Sequence, residues 1–266
     1  MSLPSDVVAC LKWVSHPGEP HDERFAGISP ADRSALEFAL VQAAALGTTV
    51  TAVTVGPPAA EKVLREALAC GATHAVHVPV HGAMHSAHVA DAIAEAVPDA
   101  RWVWCGDYSL DRGTGSVPAF LAARLGAQQA LGIIAVHWQG DGLVATRRLD
   151  GGRRELLGVS PPAVVSVEGA TAHLRRAGLS ALRTAAHAEV RTVHPAATAH
   201  ADDAVVRAYR PRARALAAPV GDTPLDRLRA LTDSGAAVAA RGDTVTLEPA
   251  AAAARIAAAL HEWGYL

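Results

Sequence analysis

The 266-residue chain predicts an α/β fold on a mostly parallel sheet, with antiparallel hairpins at one sheet edge and a C-terminal arm. Three observations predict it. Short β-branched or aromatic runs alternate four times with helical patterns between Val7 and Leu125. The crossovers between those runs have about the length that parallel pairing needs. After Gly126 the punctuation changes to tight glycine turns between apolar runs, which is the mark of hairpins.

Each element has its own signal. Val7–Val14 reads as a first buried strand, followed by a loop, Ser15–Gly27, rich in proline, glycine and charge. Ser29 caps a helix, Pro30 takes its first position and Asp32 follows three residues after the cap. Leu36, Ala39, Leu40, Ala43 and Ala44 share one face of that helix, and Gly47 stops it. Thr49–Val55 is the clearest strand, closed by Gly56-Pro57-Pro58. A second helix over Ala60–Cys70 turns Val63, Leu64, Ala67 and Leu68 inward and ends at Gly71. His74–Val80 and Trp102–Cys105 are the third and fourth strands; Ser86–Val97 and Val117–Leu125 are the third and fourth helices.

Beyond Gly126, Ile133–Trp138, Leu143–Leu149 and Arg154–Val159 are joined by tight turns, the second of them Asp150-Gly151-Gly152. Ala163–Val167 is a further strand and Leu179–Ala188 a short helix. Residues 190–222 lack a clear period and read as an extended arm or a linker. A last unit has a helix opened by Thr223-Pro224, a brief strand at Val245–Leu247 and an alanine-rich helix over Glu248–Trp263. The expected division is an α/β domain over residues 1–190 and a C-terminal arm with helices over 191–266.

Composition narrows the function. Half of the residues are hydrophobic, enough for a sizeable core. Formal net charge is -2, and Lys12 and Lys62 are the only lysines, so nothing invites nucleic acid. Cys10, Cys70 and Cys105 form no C-x-x-C pair and read as reduced thiols of a cytoplasmic protein. The N-terminal run is broken by Lys12, and no stretch has the ~18 apolar residues of a spanning helix, so direct membrane insertion is not expected.

The stretch that carries chemistry is Gly106–Val117, a glycine-rich turn between a strand and a helix. Uncapped N–H groups and the positive helix end face such a turn, and ligands of parallel sheets bind beyond the carboxyl ends of their strands. Gly106, Gly113 and Gly115 permit bends or close approach. Ser109, Thr114 and Ser116 offer hydroxyls, and Asp107 and Asp111 offer acceptors. The loop is neither a Walker A motif nor a Rossmann fingerprint, since G-K-[ST] and G-x-G-x-x-G are absent. Lys12, at an apolar strand end, faces either solvent or a ligand. His74, His77, His81, His85 and His88 are dense, but Pro79 and Gly82 break any helix that would align them as metal ligands. No G-x-S-x-G motif, triad spacing or carboxylate pair marks a catalytic residue. Arg147, Arg148, Arg153 and Arg154 read as a solvated sheet edge.

The order of these segments resembles the β subunit of electron transfer flavoprotein. Ser29-Pro30-Ala31-Asp32-Arg33-Ser34-Ala35-Leu36-Glu37 is similar to the family's N-P-x-D/C-x-x-A-x-E helix start. Leu64–Ala72 is similar to L-R-x-A-L-A-M-G-A, and Leu110–Val117 to I-D-G-D-T-x-Q-V. Asp150-Gly151-Gly152 and Pro162–Val167 are similar to its D-G-G hairpin and L-P-A-V-V-T-V strand. The resemblance covers most of the chain and thins over the last ~75 residues.

The resemblance implies a doubly wound, adenine-nucleotide-binding fold of HUP or Rossmann-like type. It implies a non-catalytic subunit that pairs with an α subunit. The heterodimer carries electrons from flavin dehydrogenases to a downstream acceptor. FAD would be held mostly by the α subunit, with AMP or a second FAD in the β pocket. The implied cofactor-binding residues are Cys10, Lys12, Ser29, Pro30, Ala31, Asp32, Ala60 and, in the loop Gly106–Val117, Gly106, Asp107, Ser109, Asp111, Gly113, Thr114, Gly115, Ser116 and Val117. The implied partner-recognition segment, about Leu174–Ala185, includes Leu174, Arg175, Leu179 and Leu182. The sequence departs from the family at Ser29 (asparagine), Gly113 (aspartate) and Ser116 (glutamine) and in the nearly uncharged stretch Thr184–Arg191. That pattern resembles a divergent branch associated with mycofactocin redox systems. The alternative is a stand-alone nucleotide-binding regulator of stress-protein-like fold, which would need a complete phosphate loop and no C-terminal arm.

Overall fold

The computed structural model describes residues 6–15, 26–80, 84–111, 113–195, 219, 221–232 and 245–265. Its first strand, β1 (Val7–Cys10), lies inside the sheet, flanked in parallel by β4 (Val50–Gly56) and β6 (Trp102–Gly106). Beyond β4 lie β5 (His74–Pro79) and the short edge strand β11 (Arg191–Thr192). On the other side β10 (Ala163–Val167) pairs in parallel with both β6 and β7 (Gln128–Gln139). The antiparallel strands β8 (Gly142–Arg148) and β9 (Arg154–Val159) finish that edge. The resulting nine-stranded order is β11-β5-β4-β1-β6-β10-β7-β8-β9. A separate two-stranded sheet joins β2 (Trp13–Val14) to β3 (Gly27–Ile28).

Strand alternation distributes the core between two layers. Val7 and Ala9 of β1 pack with α1 (Pro30–Leu46) and α2 (Glu61–Cys70). Val8 and Cys10 face α3 (Ser86–Ala96) and α4 (Val117–Leu125). Helix α1 begins as its sequence predicts: the Ser29 side chain accepts from the Asp32 N–H at 3.1 Å. It ends on Gly47 in the left-handed conformation. Ala44, expected on the inward face, is exposed because that face narrows in the last turn.

Several expectations need correction. The run Val7–Val14 is two strands, not one. The Leu11 N–H makes a last ladder bond to Val53 O, and the Lys12 N–H turns away to the carboxylate of Asp32. The second helix opens with a 3-10 turn, Pro58–Ala60, and becomes α-helical at Glu61. Strand β7 starts at Gln128, earlier than the apolar run suggests, because its first residues pair with β10. Val245–Leu247 forms no strand; these residues have no pairing partner among the described residues. Strand β11 belongs to the main sheet, and the chain forms two compact units, Met1–Ala201 and Asp202–Leu266.

The second unit contributes α6 (Pro224–Leu231) and α7 (Pro249–Glu262). Thr223 and Asp226 form a reciprocal capping box at α6. Leu225, Leu228 and Leu231 of α6 are 54%, 58% and 62% exposed, and Ile256, Trp263 and Tyr265 are exposed as well. Residues 196–218, most of the expected arm or linker, lie outside the described residues.

Candidate functional site: a cleft where the sheet reverses

The chain lays β4 on one side of β1, continues outward to β5, then returns through α3 to place β6 on the other side of β1. Helices leave the two halves on opposite faces, which opens a crevice at the carboxyl ends of β1 and β6. A cleft of about 390 Å³ lies there. Ten of the expected residues line it: Cys10, Lys12, Asp32, Gly106, Ser109, Asp111, Thr114, Gly115, Ser116 and Val117.

Asp32 ties the two strand ends together. One carboxylate oxygen accepts from the Lys12 N–H at 2.9 Å and the other from the Gly106 N–H at 3.0 Å. The second half of the capping box is therefore diverted from its own helix to the sheet. Gly106 is required by the contact: a Cβ there would stand 2.5 Å from Asp32 Oδ1 and 2.9 Å from the Ala31 Cβ. Burial pushes the Asp32 carboxyl up to about 6, against the opposing pull of the Lys12 and Gly106 N–H groups, the Ser29 side chain and the Lys12 charge.

Two glycines shape the loop. Gly113 and Gly115 have φ of 63° and 57°, in the left-handed region. A Cβ on Gly115 would meet Asp107 O at 2.3 Å. The loop then enters α4 at Ser116, whose side chain makes no capping bond. Ser116, Val117 and Pro118 line the cleft, so the uncapped start of α4 is part of its wall.

Lys12, left between solvent and ligand by the sequence, reaches across to the loop. Its Nζ lies 2.7 Å from Asp111 and 3.2 Å from Ser109 Oγ, at the rim of the cleft. Among the described residues lining the cleft it is the only basic side chain.

Six expected residues do not line the cleft. Ser29, Ala31 and Ala60 are buried behind it, the first capping α1, the second abutting Gly106 and the third abutting Gly56. Pro30 is exposed on the outer side of α1. Gly113 is exposed, with its N–H donating to Ser109 O at 2.9 Å. The Asp107 carbonyl lies where a Cβ on Gly115 would go; burial and the nearby Glu168 charge raise the Asp107 carboxyl, and its Oδ1 is buried with no partner among the described residues.

The cleft also has a wall that sequence reasoning missed. Val53, Val55, Met84, Val89 and Ile93 make an apolar side, and Trp13 and Tyr108 flank the polar mouth. The indole N–H of Trp13 is buried with no partner among the described residues. The legible signal for Val53 and Val55 was their alternate spacing along a strand that ends at Gly56-Pro57.

The expected recognition segment is split. Leu174 packs against the core, whereas Leu179 and Leu182 are 75% and 47% exposed on α5 (Leu179–His187). Arg175 bonds to Glu37, with its Nη2 2.8 Å from Oε1. Burial would raise the Glu37 carboxyl, but the Arg175 bonds and charge outweigh it and hold it below its ordinary range. Arg65 Nη1 donates to Ala185 O at 2.8 Å and to Ala186 O at 2.9 Å, securing the end of α5.

The histidines do not gather. His77 is buried in β5 with Nε2 3.0 Å from Gly56 O, His85 and His88 meet edge to face, and His81 lies outside the described residues. Among the described residues no three His, Cys, Asp or Glu side chains are placed to hold a metal ion, and no helix is long and apolar enough to cross a membrane.

Residues 21–198 match the family model described as the electron transfer flavoprotein domain. The electron transfer flavoprotein subunit beta of Clostridium acetobutylicum is 30% identical over 175 residues, covering 60% of this chain and 67% of that protein. Protein FixA of Azorhizobium caulinodans is 34% identical over 177 residues, covering 61% and 62%. Acryloyl-CoA reductase electron transfer subunit gamma of Anaerotignum propionicum is 31% identical over 132 residues, covering 47% and 49%. The matches thus span about half to two thirds of each relative's length. With its doubly wound sheet, its switch-point cleft and these matches, the chain belongs to the electron transfer flavoprotein family, among the beta subunits.

Proposed function

We propose that the protein is the beta half of an FAD-containing heterodimer and that its cleft holds an adenine nucleotide, AMP in the first place. The observation that carries the reading is the cleft at the reversal between β1 and β6, bounded by the loop Gly106–Val117 and the start of α4. One lysine and one uncapped helix start suit a single phosphate. Asp32 and Asp111 suit hydroxyl donors such as those of a ribose, and the apolar wall of Val53, Val55, Val89 and Ile93 suits a base. The buried N–H of Trp13 is a further donor for a bound group.

In this reading the subunit acts by position and without an acid, base or nucleophile of its own. FAD, held with the alpha subunit, supplies the redox chemistry. The beta chain completes the surroundings of the flavin, and the exposed leucines Leu179 and Leu182 on α5 meet a flavin or mycofactocin-linked dehydrogenase. The exposed apolar residues of α6 and α7 pack on the alpha subunit. The heterodimer works in the cytoplasm and passes electrons to a downstream acceptor.

Coexpression with the neighbouring alpha subunit tests the proposal. The expected result is a yellow, equimolar complex. A colourless monomer that stays apart from folded alpha subunit at every concentration would sink it.

A further inference from the structure

Val53 of β4, Cys10 of β1 and Cys105 of β6 lie on adjacent strands and line the cleft floor. Cys10 lies opposite Val53 of β4, and Ser166 of β10 lies opposite Cys105 of β6. Ala9 lies opposite Trp104, so the next residues along, Cys10 and Cys105, are neighbours on adjacent strands. In-register residues of parallel strands point to the same face at a spacing of about 4.8 Å. Both thiols belong to the cluster under α3 and α4, and both line the cleft. Both are free thiols. The adjacent Cys10 thiol and burial keep the Cys105 thiol well above its ordinary range, so it stays protonated. Cys70 belongs to the opposite layer.

We propose that Cys10 and Cys105 form a dithiol site for trivalent arsenicals, a ligand class that takes two neighbouring sulfurs at once. Attack on a disulfide or peroxide requires a thiolate, which the protonated Cys105 supplies poorly. An arsenic(III) dihydroxide brings its own proton acceptors. Two As–O bonds break and two As–S bonds form; each departing hydroxide leaves as water with a thiol proton, and no atom changes oxidation state. The adduct stands on the cleft floor and excludes another occupant, a consequence that rests on the nucleotide reading.

The test is titration of the full chain with phenylarsine oxide, read by native mass spectrometry and peptide mapping. One phenylarsenic per chain is expected, joined to Cys10 and Cys105 and removed by 2,3-dimercaptopropanol. Cys10→Ala or Cys105→Ala should weaken binding about 100-fold or more, because the second attachment is lost; Cys70→Ala should leave it unchanged. Mapping of the unsubstituted chain decides the matter even where a variant fails to fold. An adduct on Cys70, or one formed only in urea, overturns the assignment. Saturating AMP should slow the adduct; an adduct that forms equally fast with AMP present overturns shared occupancy of the cleft and leaves the dithiol site standing.

Discussion

Asp32 and Leu228 mark two regions built on opposite terms. Around Asp32, a buried carboxylate is satisfied by the ends of two strands, and the glycines beside it leave no room for a side chain. Around Leu228, a capped helix presents Leu225, Leu228 and Leu231 more than half exposed. In the first region a buried polar group is satisfied by backbone N–H groups distant in sequence. In the second the local helix signals are in order while the apolar residues stay more than half exposed. The difference teaches that secondary structure and tertiary sufficiency are separate achievements of a sequence.

The sharpest way to break the comparison is to remove Asp32. At pH 4, Asp32→Ala leaves the Lys12 and Gly106 N–H groups unpaired and should lower stability by about 4 kcal/mol in urea denaturation. The unsubstituted protein carries its own signature. The Asp32 carboxyl is raised to about 6, so its contribution is full below the ordinary carboxylate range and is lost as pH rises through about 6. Stability should fall by about 2 kcal/mol from this group between pH 4 and pH 7, and Asp32→Asn should flatten that slope. A slope unchanged in the asparagine variant would show that another group titrates.

Gly115→Ala should cost about 2 kcal/mol, since its φ is positive and a Cβ would press on Asp107 O. Lys12→Met removes a partly exposed ion pair with Asp111 and should change stability by less than about 1 kcal/mol. The smallest effect belongs to the second region: Leu228→Ser should stay within about 0.5 kcal/mol in the isolated chain. A loss at Leu228 as large as that at Asp32 would erase the contrast.

The elements legible in the sequence were those specified locally. Ser29-Pro30 and Gly47 bound α1, and Val117–Leu125 is α4 residue for residue. The sheet edge that β7, β8 and β9 form was readable from its turns. What escaped depends on distant pairing. Nothing within Val7–Val14 announces that Asp32 takes the Lys12 N–H and divides the strand. Val245–Leu247 has strand residues but no neighbour to pair with among the described residues. In the cleft, the polar loop was visible because glycine and hydroxyl residues cluster there. Val89 and Ile93 were not, because an apolar residue at helical spacing reads the same whether it faces the core or a ligand. Leu174 and Leu179 carry the same side chain five positions apart, and only the fold separates the buried one from the exposed one.

We propose the cleft at the β1–β6 reversal as a nucleotide site inside an electron-transferring heterodimer. The most direct measurement is the mass of the nucleotides released by denaturing the complex with the alpha subunit. FAD and AMP in equal amounts are expected, with AMP reduced when Lys12 is replaced by methionine. A complex that releases FAD alone, with no second nucleotide before or after the substitution, would contradict the proposal.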